Sequence, residues 1–273
     1  MIDIFQRLAA RVMSRVRVNW IGEEVRGGVE VIVKRRRAGG DVVIWFGNRF
    51  LSLARSGIEM FVDAERWLDW EIHCVGLLYP EFPASREHGW ALIVHKFHGT
   101  SLRRLLGESV ERRAFAAAGR ELRRAHQIMC DRYKACWSHG DLHLDNVLYD
   151  AGADRAFLID FDTRHELRLG WMERQADDLK VMLLELITGI EQWGPVAEAL
   201  LEGYGDGGVL AALGRQMVVP RGVAKIFWHT RTGGMATREV ERRLEELRAL
   251  VARVGMRVEG ATRREGASCS VDA

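Results

Sequence analysis

The sequence is short of the features that would assign it to several large classes. In 273 residues no apolar run reaches the roughly 18 residues that a membrane-spanning helix needs. Its start lacks the apolar stretch and small-residue cleavage site of a signal peptide, so the expected location is the cytoplasm. The four cysteines, Cys74, Cys130, Cys136 and Cys269, form no Cys-x-x-Cys pair. Neither a zinc site nor a disulfide framework is indicated, and a reducing compartment is the simpler expectation. Net charge is small too: 40 Lys plus Arg against 38 Asp plus Glu leaves +2, and no global field argues for nucleic acid. Lysine is scarce, five against 35 arginines, a skew attributed to genomic composition. It makes Lys34 the only lysine before Lys96. The full Gly-x-Gly-x-x-Gly pattern is missing around Gly27-Gly28, no Ala-Pro-Glu element follows Asp160, and there is no internal repeat.

What is present is concentrated in Trp137-Ser-His-Gly-Asp-Leu-His-Leu-Asp-Asn-Val-Leu-Tyr-Asp150 and Phe157-Leu-Ile-Asp-Phe-Asp162. Two apolar runs, 147–149 and 156–159, read as paired strands around an Asp/Gly turn, so the polar residues before the first and after the second converge at one end. That end holds Asp141, Asn146 and Asp160. Taken singly, an Asp at a strand end is commonly a turn residue and an Asn after Asp a cap. Together, an Asp-x4-Asn pair with a further Asp nineteen positions beyond its first member is the layout of a kinase active centre.

The stretch therefore resembles protein-kinase-like phosphotransferases. With His139-Gly-Asp141 in place of His-Arg-Asp, and Asp160-Phe-Asp162 in place of Asp-Phe-Gly, it is most similar to small-molecule and sugar kinases. Examples are the aminoglycoside phosphotransferases and the Kdo and heptose kinases of the lipopolysaccharide core. The resemblance implies an α+β, bilobal fold: a small antiparallel β N-lobe with one main helix, over residues 1–95, and a mostly helical C-lobe, 96–257. Residues 258–273, poor in large apolar groups, are expected to be a disordered tail. The resemblance further implies ATP and Mg2+ as cofactors, Asp141 as the catalytic carboxylate at the acceptor hydroxyl, and Asn146 and Asp160 as the metal ligands. His139 is expected beneath the site, His143 to orient Asp141 or the acceptor, and Asp162 to add a metal contact or anchor the next loop. A rival reading groups His139, Asp141, His143 and Asp145 around a transition metal, which leaves Asn146 and the second motif without a role.

Two β-branched runs, 29–34 and 41–46, joined through Gly39-Gly40, read as N-lobe strands. Gly27-Gly28 is a candidate for a shortened phosphate-covering loop. Lys34 is the candidate ATP-phosphate lysine, with Arg35 as an alternative, and its alternative reading is a solvated strand-end charge. Its acidic partner is expected to be Glu65 on a helix with the apolar stripe Phe61, Ala64, Leu68 and Ile72, with Glu71 the rival. A competing register puts Val42 to Trp45 on the lysine-bearing strand and predicts weak or absent catalysis. Residues 90–95 read as a buried strand, and Lys96, Phe97 and His98 as the adenine-binding hinge. A long helix over 112–129 ends at His126, expected to be a packed residue, and an aspartate at 177–178 is expected to tie the next helix to the catalytic loop. A charged amphipathic helix is expected from Thr237 to about Arg253.

Only about fourteen residues separate Asp160 from the helix expected near Gln175, and Thr163 is their single hydroxyl-bearing residue. A regulated activation loop or a docking platform for peptides is hard to fit there, which favours a small acceptor. Arg164, His165 and Arg168 are candidates for attracting an anionic one. Residues 2–18 form an amphipathic basic pattern that either packs on the small lobe or lies on the inner face of an anionic membrane. Two functions follow. One is an ATP- and Mg2+-dependent kinase of a small or sugar hydroxyl, of the lipopolysaccharide-core type or, as its neighbour, an aminoglycoside or metabolite kinase. The other is a non-catalytic kinase-like module that binds nucleotide or a partner.

Overall fold

The computed structural model describes residues 18–87, 90–108, 111–222, 224–225, 228, 232 and 235–268. The amphipathic stretch 2–17 and the last five residues lie outside them. No helix among the described residues is long and apolar enough to cross a membrane.

The N-terminal region is a four-stranded antiparallel sheet in the order β1-β2-β5-β4, made by β1 (Asn19–Arg26), β2 (Val29–Arg36), β4 (Ala84–Glu87) and β5 (Ala91–His95). Gly27 and Gly28 close the β1–β2 hairpin with φ of 58° and 82°, the left-handed pair that a two-residue turn of this hand requires. Along β2, alternation puts Val31 and Val33 on one face with Ala91, and Ile32 and Lys34 on the other. Lys34 is thereby carried, buried, toward the helix packed below.

The second β-branched run is not a strand. Residues 40–53 form a helix, α1 (Gly40–Leu53), begun by Gly39 in the left-handed conformation. Its buried set, Gly40, Ile44 and Leu51, recurs at helical spacing, whereas strand alternation would have buried Val42 and Phe46, which are 55% and 63% exposed. Tertiary contacts override the β preference of Val-Val-Ile. The Asn48 amide clamps α1 to β3 (Ile58–Met60), donating to the Met60 carbonyl and accepting from the Met60 amide, both at 2.8 Å. With α1 a helix, the register that put Trp45 in place of Lys34 falls away.

Next comes α2 (Ala64–Leu78), capped by Asp63, whose carboxylate accepts the Arg66 amide at 2.8 Å. It buries Trp67, Leu68, Trp70, Glu71, Cys74, Val75 and Leu78, a face rotated from the expected Ala64-Leu68-Ile72 stripe.

Beyond β5 lie β6 (Thr100–Ser101), α3 (Leu102–Glu108) and α4 (Arg112–His126), then a small hairpin of β7 (Met129–Cys130) and β8 (Ala135–Cys136). After the Asp141 loop, β9 (Val147–Asp150) and β10 (Arg155–Leu158) pair antiparallel, and β6 adds to β9. Then β11 (Thr163–His165) pairs with β3. The rest is helical: α5 (Trp171–Gly189), α6 (Trp193–Tyr204), α7 (Gly207–Gln216) and α8 (Thr237–Ser268). α5 begins at Trp171, earlier than the sequence suggests, so Asp178 stands inside it.

Where the sequence leads one to expect a disordered tail from 258, α8 continues to Ser268. Ala, Arg and Glu are good helix formers, and extending a helix that already has its nucleus adds a hydrogen bond for each residue ordered. The architecture is thus α+β, a small antiparallel sheet followed by a helical body, as expected from the sequence. One large core runs from α2 through α4 and β9–β10 to α5–α8.

Candidate active site

The β9–β10 register pairs Val147 with Leu158, and the Ile159 amide donates to the Asn146 carbonyl at 3.0 Å. Asn146 and Asp160 therefore lie at one end of the hairpin, as the sequence pattern expects. The loop that brings Asp141 to the same end is held from behind by Asp178. Its carboxylate accepts the amides of His139 (2.8 Å) and Gly140 (2.9 Å) and faces His126 Nε2 at 3.1 Å. Burial opposes its charge, but the His165 and His126 rings outweigh burial and hold the Asp178 carboxyl below the usual range.

His139 is buried beneath the loop. Its Nε2 faces the Ile159 carbonyl at 3.0 Å and so carries the proton, while Nδ1 accepts the Asp141 amide at 3.3 Å. Burial keeps this ring neutral. Gly140, at φ 96°, passes so close to Arg164 that an added Cβ would lie 2.9 Å from that residue's carbonyl carbon, which explains why no arginine stands between His139 and Asp141. The Asn146 side-chain amide donates to the Asp141 carbonyl at 2.9 Å, which leaves its oxygen turned away from the loop.

Lys34 joins the two halves of the site. Its ammonium lies 2.7 Å from Glu71 on α2, 2.5 Å from Asp160 and 3.9 Å from Asp162. Burial disfavours its charge, but Asp160 and Glu71 reverse the balance and raise it well above the ordinary lysine value. Burial raises Glu71 well above the usual carboxylate range against the pull of Lys34. Burial together with the neighbouring Asp162 also raises Asp160. Asp162 takes hydrogen bonds from Trp67 Nε1 and Asn19 Nδ2, both at 2.7 Å, and anchors the loop to α2 and β1.

Oxygens of Glu71, Asp160 and Asp162 all lie within 4.8 Å of one another. Three carboxyl groups against one ammonium leave an acidic cluster that a divalent cation would balance, and carboxylate oxygen is the donor magnesium prefers. The residues fit such an ion. Asp160 itself sits at φ 68°, a left-handed conformation that a non-glycine residue keeps only when its surroundings impose it.

Several expected residues fall elsewhere. Glu65 is exposed and pairs with Arg86 at 3.2 Å, whereas Glu71, the rival, is the partner of Lys34. The strongest buried anchors of α2, Trp67 and Trp70, turn residue 71 inward and residue 65 out. Arg35 is half-exposed and directed at Glu87. The Gly27-Gly28 turn stands six residues from Lys34 along β2, or about 20 Å, so it does not cover the site.

At the expected hinge, the Lys96 side chain is taken by Glu23 (2.7 Å) and Glu30 (3.8 Å), and its amide donates to Glu30. The His98 ring is exposed beside Glu30. Phe97 stacks on Phe157 with centroids 4.9 Å apart. The three candidates for attracting an anion are already engaged: Arg164 with Glu59, His165 buried against Ser138 and the Tyr133 hydroxyl, and Arg168 with Glu166. The transition-metal grouping does not assemble, since His139 is committed to the Ile159 carbonyl and Asp145 reaches toward Arg103.

One participant, Glu185, escaped sequence reasoning altogether. His143 lies between Asp141 (Nε2 to Oδ1, 2.9 Å) and Glu185 of α5 (Nδ1 to Oε1, 2.6 Å). Burial works against a charged ring, but Asp141 and Glu185 overcome it and lift His143 to about 10. Glu185 lies 42 residues along the chain from His143, and only the shared helix face of residues 178 and 185 hints at it.

No family model matches the sequence, and no curated protein matches it. Among solved structures the chain is similar to the ternary complex of streptomycin, ATP and APH(2″)-IIa, at 14% identity and a TM-score of 0.40, over 88% of this chain and 95% of that one.

Proposed function

We propose that the chain is an ATP- and Mg2+-dependent phosphotransferase that moves the γ-phosphoryl group of ATP to a hydroxyl of a small acceptor. A sugar of the lipopolysaccharide-core type is the finer candidate. The observation that carries the reading is the buried Lys34 ammonium held between Glu71 and Asp160, at the hairpin end that also presents Asp141 and Asn146. A lysine so placed is a ready counter-charge for triphosphate oxygens, and Glu71 keeps it pointed there.

In this reading 1–95 and 96–257 act as the two lobes, and the backbone of Lys96, Phe97 and His98 receives the adenine. Asn146 and Asp160 would hold the magnesium ion, which when bound neutralises charge on the phosphate oxygens. Asp141 orients the acceptor hydroxyl and takes up its proton. The acceptor oxygen forms a bond to the γ-phosphorus as the bond from that phosphorus to the β–γ bridging oxygen breaks, and ADP leaves. Because the transition state is loose, alignment and neutralised charge supply most of the acceleration. The short segment after Asp160, paired through β11 to β3, supports a small acceptor over a peptide.

The test is transfer of label from γ-labelled ATP to panels of core sugars, aminoglycosides and proteins. Transfer to a small hydroxyl compound, lost in Asp141→Asn and Lys34→Met, is the expected result. Equal ATP turnover in the wild type and both variants would overturn the enzyme reading and leave the nucleotide-binding module.

A further inference from the structure

Helix α5 sends two carboxylates to the same loop. Asp178 and Glu185 are seven residues apart, two turns or about 10 Å, and so share a face. Asp178 receives the loop's first amides, His139 and Gly140, and touches nothing that would react. Glu185 acts at the other end and differently. One of its oxygens accepts the Leu144 amide at 2.8 Å, and the other meets His143 Nδ1 at 2.6 Å. The far nitrogen of that ring then meets Asp141 Oδ1 at 2.9 Å. Both ring nitrogens face carboxylate oxygens, so both must carry hydrogen for either contact to be favourable. Arg103, on the first turn of α3, also binds Glu185 and lies 3.4 Å from Asp145, which ties the arrangement to the helix that follows the hinge.

We infer that Glu185 is a positioning residue for phosphoryl transfer, acting through His143, the ring already expected to orient Asp141. Glu185 fixes the His143 ring, and the ring, by gripping one oxygen of Asp141, fixes the plane in which that carboxylate meets the acceptor hydroxyl. The inference rests on the phosphotransferase reading above. A carboxylate on a loop rotates freely about its last bond, and a reaction that depends on alignment loses about a hundredfold in rate when a reacting group is misplaced by an ångström. His143 is one-third exposed on the open side of the site while Glu185 is nearly buried, so the chain of contacts runs from the body of the fold to its reacting edge.

The competing account is that Glu185 merely closes the loop by accepting the Leu144 amide. Glu185→Gln keeps an oxygen for that amide and removes the charge facing His143. We expect His143→Gln and Glu185→Gln each to lower kcat ten- to a hundredfold, with KM for ATP within twofold of wild type and melting temperatures within a few degrees. The double variant should be no slower than His143→Gln alone, because Glu185 acts through the ring. Turnover is read as labelled phosphate transferred to the acceptor found in the panel or, failing one, to water.

Activity that is lost in Asp141→Asn but stays within twofold of wild type in His143→Gln would overturn the positioning role alone. So would a double variant whose losses multiply, or a fall in ATP affinity that matches the fall in rate. Wild type and Asp141→Asn turning over ATP alike would overturn the phosphotransferase reading, and the positioning role with it. Should His143→Gln fail to fold, Glu185→Gln carries the same kinetic test.

Discussion

Two aspartates, the buried Asp178 and the one-third exposed Asp160, have opposite surroundings. Asp178 is met by donors: two backbone amides and the His126 ring, with His165 beyond. Asp160 is met by other carboxylates and by a single lysine, and its backbone is held left-handed. The first has its carboxyl pushed down and the second has it pushed up. A buried charge that finds donors on every side is a structural part, whereas one left short of positive charge is prepared for a ligand that brings it.

Substitutions that separate the two sites give the largest effects. Asp178→Ala should cost about 3–5 kcal/mol, since it strands the His139 and Gly140 amides in the interior, and urea unfolding would record it whether or not nucleotide is present. The pH dependence carries the same signature. Asp178 has a folded value below its unfolded 3.8, so its contribution is complete above that value and fades as pH falls through the depressed one. Asp178→Asn should flatten this acid limb of the unfolding curve.

Lys34→Met should instead act on turnover, lowering it about 10²–10³-fold, as removal of a group that stabilises transition-state charge does, measured as phosphate released from ATP. A smaller effect distinguishes the sites by ligand. Magnesium with a nucleotide at a hundredfold over its dissociation constant should stabilise the wild type by about 2.7 kcal/mol, seen as a raised melting temperature, and Asp160→Asn should abolish that response. The smallest effect concerns the helix that faces the cluster. Glu71→Gln should impair both stability and turnover, while Glu65→Ala, at the exposed pair with Arg86, should stay within about 0.5 kcal/mol of wild type in thermal unfolding and leave turnover unchanged.

The parts legible in the sequence are those specified by neighbours in the chain. The hairpin of β9 and β10, with Asn146 and Asp160 at its end, follows from two apolar runs and a turn between them, and Lys34 from strand alternation. What escaped depends on distant partners. Val42-Val-Ile-Trp45 carries a strand's composition, and only its packing against β3 makes it a helix. Glu65 and Glu71 are six residues apart on one helix, and choosing between them requires knowing that Trp67 and Trp70 face inward. Gly27-Gly28 has the composition of a phosphate loop and the geometry of a plain turn, because the strands on either side pair along their full length. Glu185 carries no local mark of its role, since its meaning comes from a ring 42 residues earlier in the chain.

The pairing of β11 with β3 bears on how such a molecule is governed. Thr163, Arg164 and His165 are laced to Met60, Glu59 and Ile58, and Trp70 Nε1 donates to the Thr163 carbonyl at 3.2 Å. A throttle that worked by swinging this stretch outward would have to unzip that ribbon and drag α2, with Glu71, away from Lys34. If the phosphotransferase reading holds, the site is therefore assembled as the chain folds, and its rate would follow the supply of substrate.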